Sequence, residues 1–436
     1  MSAALQGSES SHEYDKIKTN LLQGILQEIF THSPEIKEYE RLITDYLQQV
    51  KEKTNVDLDE STLKQLGKEI RHEFTWLQPF FTLYLDKQIN EIQINRFNRI
   101  FVIHQGTIKK TDIRFTDNDQ VLRLLELLVL SSGIPFNKES ATIEVHLPDG
   151  SRVMGLLPPL SIDGPSLIIR KAAVNGFPPQ ALVENGTVSE SAMQFLRACV
   201  TSNLNIMITG NRATGKTTLL QSLASFIPED DRIISIEDTA EIRIDHENTV
   251  RMENNPGVET GGKERVSRDL INKALRMHPD RMIIGEICGS DISDILTAMN
   301  DDHTGFLTTL HASSPNDALS RLETYYLMSR PDLPLRIIRE QIATAIDLII
   351  HVTCFQKKVH KISSILEVSG MEGDRIVLTE IFHFEQTGAP GKNKMEGVLK
   401  PTGSRPLFSS QLEAAGFMLG PEIYGTSLGD IYNRRR

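Results

Sequence analysis

The sequence predicts an α/β protein built around a parallel β-sheet with helices on both faces. Short apolar runs that are typical of buried strands alternate with helical segments between residues 189 and 385, in the order NIMIT, RIISIED, RMIIGE, FLTTLH and DLIIHV. A glycine-flanked lysine motif follows the first run directly, at the expected strand-to-helix corner. With 436 residues the chain exceeds the size of one hydrophobic core, so we expect several domains.

Residues 1–76 predict an N-terminal helical region. Apolar residues recur there with the helical period on both sides of a break at Ser33-Pro34, namely Ile17, Leu21, Leu22, Ile25, Leu26, Leu42, Ile43, Tyr46 and Leu47. Two interpretations stay open. The helices form either a small bundle or a flexible arm that docks on another protein.

Residues 77–175 predict an α+β domain. The apolar period shifts towards two in EIQIN, RIFVIH, TIEVHL and SRVMGLL, and turn residues follow at 104–106 and 148–150. One helix, from about Asp119 to Leu130, presents a wide leucine face to this sheet. Proline and glycine mark residues 176–188 as a linker, and residues 386–436 predict a polar loop, a short helix at SQLEAAG and a tail.

The composition disfavours several classes of protein. A net charge of -11 leaves no broad basic surface for a nucleic-acid backbone. Three widely separated cysteines, Cys199, Cys288 and Cys354, suggest neither a disulfide framework nor a zinc site. The start of the chain lacks the pattern of a secretion signal, and the most apolar helical stretch, residues 121–134, is too short to cross a bilayer. We expect a cytoplasmic protein that reaches membranes only through partners.

The motif GxxxxGK[ST] predicts a phosphate-binding loop for ATP and Mg²⁺. Glycines let consecutive backbone N–H groups turn towards phosphate oxygens, and the following helix adds its positive end. Lys216 would neutralise the β- and γ-phosphates, Thr217 would bind Mg²⁺, and Thr218 would contact the α-phosphate. The alternative is a plain turn between a strand and a helix. The predicted nucleotide-binding residues are Gly210, Asn211, Arg212, Ala213, Thr214, Gly215, Lys216, Thr217 and Thr218.

Carboxylates follow two later strands at the same expected edge of the sheet. Glu237 and Asp238 end RIISIED, Glu241 lies three residues beyond, and Glu286 ends RMIIGE. One acid would hold Mg²⁺ through water, a role that suits Glu286, while another activates the attacking water. As an alternative, any one of these acids, Glu237 above all, serves only as a helix cap.

Two histidines flank the FLTTL run. His311 ends this strand at the predicted ligand edge, where it is a candidate for sensing the γ-phosphate. For His303, a structural and a functional role stay equally open.

Four of these segments together resemble the secretion ATPases. GNRATGKTT, RIISIEDTAE, ALRMHPDRMIIGE and NDDHTGFLTTLHASSPNDALSRLE are similar to the Walker A, Asp-box, Walker B and His-box motifs of that family. The chain more closely resembles the CpaF-like motors of tight-adherence (Tad) pili, through INEIQINRFNRIFV, LPDGSRVMGLLPPLSIDGPSLIIRK, FHFEQTG and PTGSRPLF. This resemblance spans roughly residues 80 to 420.

The resemblance implies a homo-hexameric ring of RecA-like P-loop domains, each carrying an N-terminal PAS-like domain. It implies that Arg152 and Arg170 reach the phosphates from that domain, although both could instead be surface strand ends. It further implies a cytoplasmic motor that acts on inner-membrane platform proteins to assemble a Tad-type (type IVc) pilus, with retraction left open. A secretion ATPase for effectors, a weakly hydrolysing nucleotide-binding scaffold and a DNA translocase are the alternatives.

The chain also departs from the family pattern. Cys288 stands where such ATPases carry an arginine after the Walker B glutamate, and arginines are likewise absent near Asn255 and at His278. The loop before His303 reads NDD instead of NTG. Fewer positive charges predict weaker stabilisation of the transition state, whereas the residues that would bind phosphate and metal are all present.

Overall fold

The computed structural model describes residues 2–53, 59–104, 107–137, 140–172, 177–238, 241–253, 270–300, 305–355, 359–386 and 397–425, without the side chains of residues 2–12, 53, 290 and 422. The chain divides into two compact units, Met1–Val174 and Asn175–Arg436. Among the described residues, no helix has both the length and the apolar character needed to span a bilayer.

The helices of the first unit are α1 (Ser2–His32), α2 (Tyr39–Lys53), α3 (Glu60–Leu85) and α4 (Asn118–Ser131). Aspartate caps begin two of them, because Asp59 accepts a hydrogen bond from the Thr62 backbone N–H and Asp117 from that of Gln120. After α1 ends, Ser33 adopts a left-handed conformation with φ 48°.

The first unit also contains one antiparallel sheet. Its strands are β1 (Ile89–Arg96), β2 (Arg99–His104), β3 (Thr107–Lys110), β4 (Thr142–His146), β5 (Arg152–Leu156) and β6 (Ser166–Arg170), in the order β3-β2-β1-β6-β5-β4. Ile25 of α1, Phe81 of α3, Leu125 of α4 and Val153 of β5 belong to one buried cluster. The helices and the sheet of this unit therefore share a single hydrophobic core.

The helices of the second unit are α5 (Pro179–Glu184), α6 (Glu190–Thr201), α7 (Lys216–Ala224), α8 (270–275), α9 (Ile292–Asn300), α10 (Pro315–Ser329), α11 (Leu335–Ala345), α12 (Ser409–Ala414) and α13 (Pro421–Tyr424). Its strands are β7 (Ile206–Gly210), β8 (Ile233–Glu237), β9 (Thr249–Glu253), β10 (Arg281–Ile284), β11 (Phe306–His311), β12 (Leu348–Phe355), β13 (Val359–Glu372), β14 (Arg375–Gln386) and β15 (Gly397–Pro401).

These nine strands form one mixed sheet in the order β15-β14-β13-β12-β7-β11-β10-β8-β9. The strands from β12 to β9 pair in parallel, whereas β13, β14 and β15 add an antiparallel edge. The five apolar runs predict β7, β8, β10, β11 and β12, and neither β9 nor the antiparallel edge was predicted from the sequence. A two-residue turn at Gly373, where φ is 61°, lets β14 fold back on β13.

Helices cover both faces of the parallel strands. Along β7, Ile206 and Ile208 pack with α6 and α7 on one face, while Met207 packs with α9, α10 and α11 on the other. Every residue of β7, β8 and β10 is buried, which explains why these strands are continuous apolar runs in the sequence.

Strand β13 also holds the chain segment that precedes α6. The buried Lys361 ammonium donates a hydrogen bond to the carbonyl oxygen of Gly186, and desolvation lowers the pKa of this lysine. The next residue, Ile362, donates its backbone N–H to the carbonyl oxygen of Thr187 over 2.9 Å. Two adjacent residues of one strand thus fix the end of the segment that leads into this unit.

Candidate nucleotide-binding site

The predicted phosphate loop connects β7 to α7. Gly210 ends the strand with φ 155°, Ala213 has φ 57°, and Gly215 has φ 90° immediately before the helix begins at Lys216. A Cβ atom at Gly210 would lie 2.4 Å from the carbonyl oxygen of Val352 in β12, so only glycine fits there. The loop therefore turns sharply at the N-terminus of a helix, which is the geometry that binds phosphate groups.

The Lys216 side chain is buried inside this loop, with 6% of its surface exposed. Its Nζ atom lies 3.1 Å from the carbonyl oxygens of both Gly210 and Asn211, and 2.8 Å from Nδ1 of His311. Desolvation lowers the pKa of Lys216, and the nearby Glu286 carboxylate opposes this effect. All three ammonium hydrogens consequently have acceptors.

His311 connects the lysine to the acid at the end of β10. Its Nε2 atom lies 3.3 Å from Oε1 of Glu286, whose side chain is 39% exposed. One tautomer satisfies both contacts, because Nδ1 then accepts from Lys216 while Nε2–H donates to the carboxylate. Strand β11 lies between β7 and β10, and this order brings together three residues predicted from three separate motifs.

The other residues of the predicted phosphate loop differ in how far they are exposed. Thr214 is buried, and its hydroxyl donates to the carbonyl oxygen of Asn211 over 2.9 Å. Arg212 and Ala213 are exposed at the tip of the loop. Thr217 and Thr218 are partly exposed in the first turn of α7, where their hydroxyl groups are accessible to a metal or phosphate ligand.

Glu237, at the end of β8, is 4% exposed. Its Oε2 atom accepts the backbone N–H groups of Glu241 and Ile242 over 2.8 and 2.7 Å, whereas Oε1 accepts no hydrogen bond and lies 3.7 Å from Nη2 of Arg251. Desolvation raises the pKa of Glu237 to about 7, and the two backbone hydrogen bonds partly oppose this increase. By contrast, the Glu241 side chain is exposed.

A small cleft opens beside these acids. Isoleucines and carboxylates line it together with one thiol, from Ile236, Glu237, Asp238, Ile271, Ile284, Glu286, Cys288, Asp291 and Ile295. The Cys288 thiol lies 3.8 Å from Oδ2 of Asp238, and desolvation followed by the nearby carboxylates raises its pKa to about 11. A neutral thiol therefore occupies the position where the family pattern carries an arginine.

The residues at this site fit a nucleotide with its Mg²⁺. In the described part of the chain, no three acidic, histidine or cysteine side chains converge to hold a metal alone. Mg²⁺ does not require such a cluster, since it is commonly bound by one or two protein oxygens together with substrate phosphates. The Thr217 hydroxyl and the Glu286 carboxylate supply oxygen ligands of that kind.

The two predicted arginines lie in the first unit. Arg152 forms an ion pair with Glu144, and Nε of Arg170 lies 3.3 Å from Oε2 of Glu91. The two arginines are register partners on β5 and β6, and the Arg170 side chain is 61% exposed. Their approach to a nucleotide remains a prediction.

Two of the positions discussed in the sequence, His303 and Asn255, lie outside the described residues. The third, His278, follows α8 in a left-handed conformation with φ 52°.

His360, which contacts the phosphate loop from β13, was not among the residues predicted from the sequence. Its Nδ1 atom lies 3.0 Å from the carbonyl oxygen of Thr214, so this nitrogen carries the hydrogen. No phosphate-site motif extends this far along the chain. Only recognition of β13 as a strand next to β12 could have suggested the contact.

The sequence pattern of the family described as type II/IV secretion system protein matches residues 77–394. The chain belongs to this family. Conjugal transfer protein TrbB of Rhizobium radiobacter is 29% identical over 307 residues, which cover 69% of this chain and 89% of the relative. Protein VirB11 of Agrobacterium fabrum is 29% identical over 311 residues, covering 63% and 87%.

Solved structures of secretion and pilus ATPases are also similar to this family member. The VirB11 ATPase of the Brucella suis type IV secretion system, in complex with sulphate, shares 25% identity with a TM-score of 0.37, and the match covers 68% of this chain and 94% of that one. The pilus retraction motor PilT with bound ADP shares 18% identity with a TM-score of 0.48, covering 63% and 77%.

The buried Glu237 carboxylate predicts a pH-dependent stability. Because its folded-state pKa of about 7 lies above the ordinary value, ionisation costs folding free energy, and this cost grows as the pH rises from about 4.5 to about 7. Relative to Glu237→Gln, the wild-type free energy of unfolding should fall by about 3 kcal/mol between about pH 5 and pH 8, measured by urea denaturation. Glu247→Gln, which changes an exposed acid, should follow the wild type. Parallel pH curves for wild type and Glu237→Gln would refute the expectation.

The contact from His360 predicts a contribution to nucleotide affinity. His360→Ala leaves the Thr214 carbonyl without its side-chain donor, so the loop loses one hydrogen bond that holds its shape. We expect the Kd for Mg-ATP, measured with a fluorescent analogue, to rise about fivefold, as loss of about 1 kcal/mol implies. His383→Ala, at an exposed histidine of β14, is the matched control. Equal affinities for the two variants would contradict the prediction.

Proposed function

We propose that this protein is an ATPase whose hydrolysis of Mg-ATP drives a secretion or pilus machine. The hydrogen-bonded series Lys216–His311–Glu286 is the observation that carries the proposal, because it joins a phosphate-binding cation to a candidate catalytic acid. Membership of the type II/IV secretion system family supports the same activity.

Within this proposal, the Lys216 ammonium and the backbone of the loop bind the phosphates. A phosphate oxygen that contacts Nζ competes with the three present acceptors, of which only His311 is a side chain. His311 therefore has the position of a γ-phosphate sensor, since it links the displaced contact to Glu286. Mg²⁺ would supply positive charge that neutralises the phosphates, and Thr217 and Glu286 are the residues that would hold it, Glu286 through water.

Glu241, Glu286 and Glu237 are the acids available for the hydrolytic step. Glu241 is exposed and Glu286 is half-exposed, so both can accept a proton from water. Glu237, by contrast, is buried. We assign activation of water to Glu241 and the metal contact to Glu286.

The finer assignment is a motor of the CpaF type that powers a Tad-type pilus. We propose that it is cytoplasmic and works as a homo-hexamer of RecA-like domains with PAS-like N-terminal domains. It acts on inner-membrane platform proteins and has no direct nucleic-acid partner, which the net charge of -11 supports. The Tad-like segments upstream of residue 175 and downstream of residue 380 favour this assignment.

A motor for a type IV secretion system is the second candidate. It is favoured by the relatives named conjugal transfer protein TrbB and protein VirB11. Deletion of the gene separates the two assignments, since loss of surface pili with normal substrate transfer supports the first and the converse supports the second.

Substitutions at two residues of this site should affect nucleotide hydrolysis and nucleotide binding differently. Glu286→Gln should lower steady-state phosphate release by about a hundredfold or more while the Kd for Mg-ATP changes little. Lys216→Ala should lose the affinity itself, because it removes the charge that neutralises the phosphates. Glu247→Gln is the control for a change of an exposed acid. If wild-type phosphate release does not exceed that of Lys216→Ala, the protein is a nucleotide-binding scaffold instead of a motor.

The proposed role of Arg152 and Arg170 predicts a contribution from both arginines to catalysis. Arg170→Ala, and likewise Arg152→Ala, should lower turnover by about tenfold or more, because an arginine that reaches the phosphates stabilises charge in the transition state. The matched control is Arg99→Ala, which removes an exposed arginine from β2 of the same sheet. Turnover of Arg170→Ala equal to that of the control would make the pair a surface feature.

A further inference from the structure

The backbone of Glu241 is held from two sides, although its side chain is exposed. From β8, Oε2 of Glu237 accepts the N–H groups of Glu241 and Ile242 over 2.8 and 2.7 Å. From α7, the Gln221 side-chain amide donates to the carbonyl oxygen of Glu241 over 3.1 Å. Both supporting side chains are buried, with 4% of Glu237 and 8% of Gln221 exposed. Three hydrogen bonds thus fix the main chain at two consecutive residues, two of them at Glu241 and one at Ile242.

We propose that Glu237 and Gln221 are positioning residues that set the location of Glu241 relative to the phosphate loop. This inference rests on the proposed function, in which Glu241 activates the attacking water. Glu237 and Gln221 act through the backbone of Glu241 and make no contact with the nucleotide themselves.

Gln221 connects the backbone of Glu241 to the helix that begins at the phosphate loop. It lies five residues after Lys216 on α7, the helix whose first turn borders the phosphate loop. The distance between a phosphate bound at Lys216 and the backbone of Glu241 is therefore set by one short rigid helix. Catalysis depends steeply on such distances, since a misplacement of about 1 Å can cost about a hundredfold in rate.

Glu237 has an environment that suits a positioning role. One carboxylate oxygen accepts both backbone N–H groups, and the other faces Arg251 of β9 at 3.7 Å. A Cβ atom at Gly285 would lie 3.2 Å from Cγ of Glu237, so glycine at that position leaves the side chain its space. The shape of the surrounding strands therefore holds the carboxylate in one orientation.

The test is a set of single and double variants assayed for ATP turnover and for Mg-ATP binding. Glu237→Ala removes the acceptor and should lower kcat about tenfold to a hundredfold, with KM and Kd nearly unchanged. Glu237→Gln keeps an acceptor oxygen and should recover most of kcat. Gln221→Ala removes the third hydrogen bond and should lower kcat by about fivefold. Glu247→Ala controls for loss of an exposed acid.

Coupling to Glu241 separates positioning from general structural support. In a Glu241→Gln background, which already lacks the catalytic acid, Glu237→Ala and Gln221→Ala should cause no further loss in single-turnover hydrolysis. Hydrogen exchange adds a readout independent of activity. The backbone N–H groups of Glu241 and Ile242 should exchange at least about tenfold faster in Glu237→Ala but not in Glu237→Gln.

The outcomes distinguish the two levels of the proposal. Undiminished turnover in Glu241→Gln overturns the assignment of water activation to Glu241, and the inference with it, whereas wild-type phosphate release no higher than that of Lys216→Ala overturns the proposed ATPase function itself. A large loss in Glu241→Gln together with wild-type turnover in Glu237→Ala and Gln221→Ala overturns the positioning role alone. If Glu237→Ala and Gln221→Ala each lower single-turnover hydrolysis in the Glu241→Gln background by as much as they do in the wild type, the positioning role is also overturned. If Glu237→Ala does not fold, Gln221→Ala and its double variant with Glu241→Gln decide the question.

Discussion

The burial of the Lys216 ammonium is the constraint on which the rest of the second unit depends. A buried cation without hydrogen-bond acceptors is costly, and the loop meets this requirement with two of its own carbonyl oxygens and with Nδ1 of His311. His311 can reach the lysine only because β11 lies directly beside β7. The glycine at position 210 is required for the same reason, since it lets the loop pass close to Val352. The hydrogen bonds of this one buried charge therefore require both the adjacency of β7 and β11 and the glycine at position 210.

The sequence was sufficient to predict five of the six described parallel strands, all except β9. Lys216, His311 and Glu286 follow apolar runs, and parallel strands carry such residues to a common edge, so motif and fold class gave the same answer. The antiparallel edge was missed because β13 and β14 show neither the continuous burial of the central strands nor a regular alternation of buried and exposed residues. Gly373-Asp374 is a turn sequence typical of a hairpin between two strands, although no hairpin was predicted there.

Other parts of the site depend on contacts that no local pattern encodes. Glu237 and Asp238 are adjacent acids after the same strand, yet one is buried and the other exposed. The conformation of the following loop, which directs two N–H groups at Glu237, decides this difference. His360 is likewise more than a hundred residues from the loop that it contacts. Sequence motifs identify residues that touch a ligand more readily than residues that hold those residues in place.

Three consecutive residues of β13 donate hydrogen bonds to two separate segments, the phosphate loop and the segment that precedes α6. His360 donates to the phosphate loop at Thr214, while Lys361 and Ile362 donate to the carbonyl oxygens of Gly186 and Thr187. Neighbouring side chains of a strand point to opposite faces, which is how one strand serves both loops. A variant that displaces the start of β13 will therefore disturb nucleotide contacts and the entry into α6 together. A defect caused by such a variant therefore combines a change at the phosphate loop with a change at the segment that leads into α6.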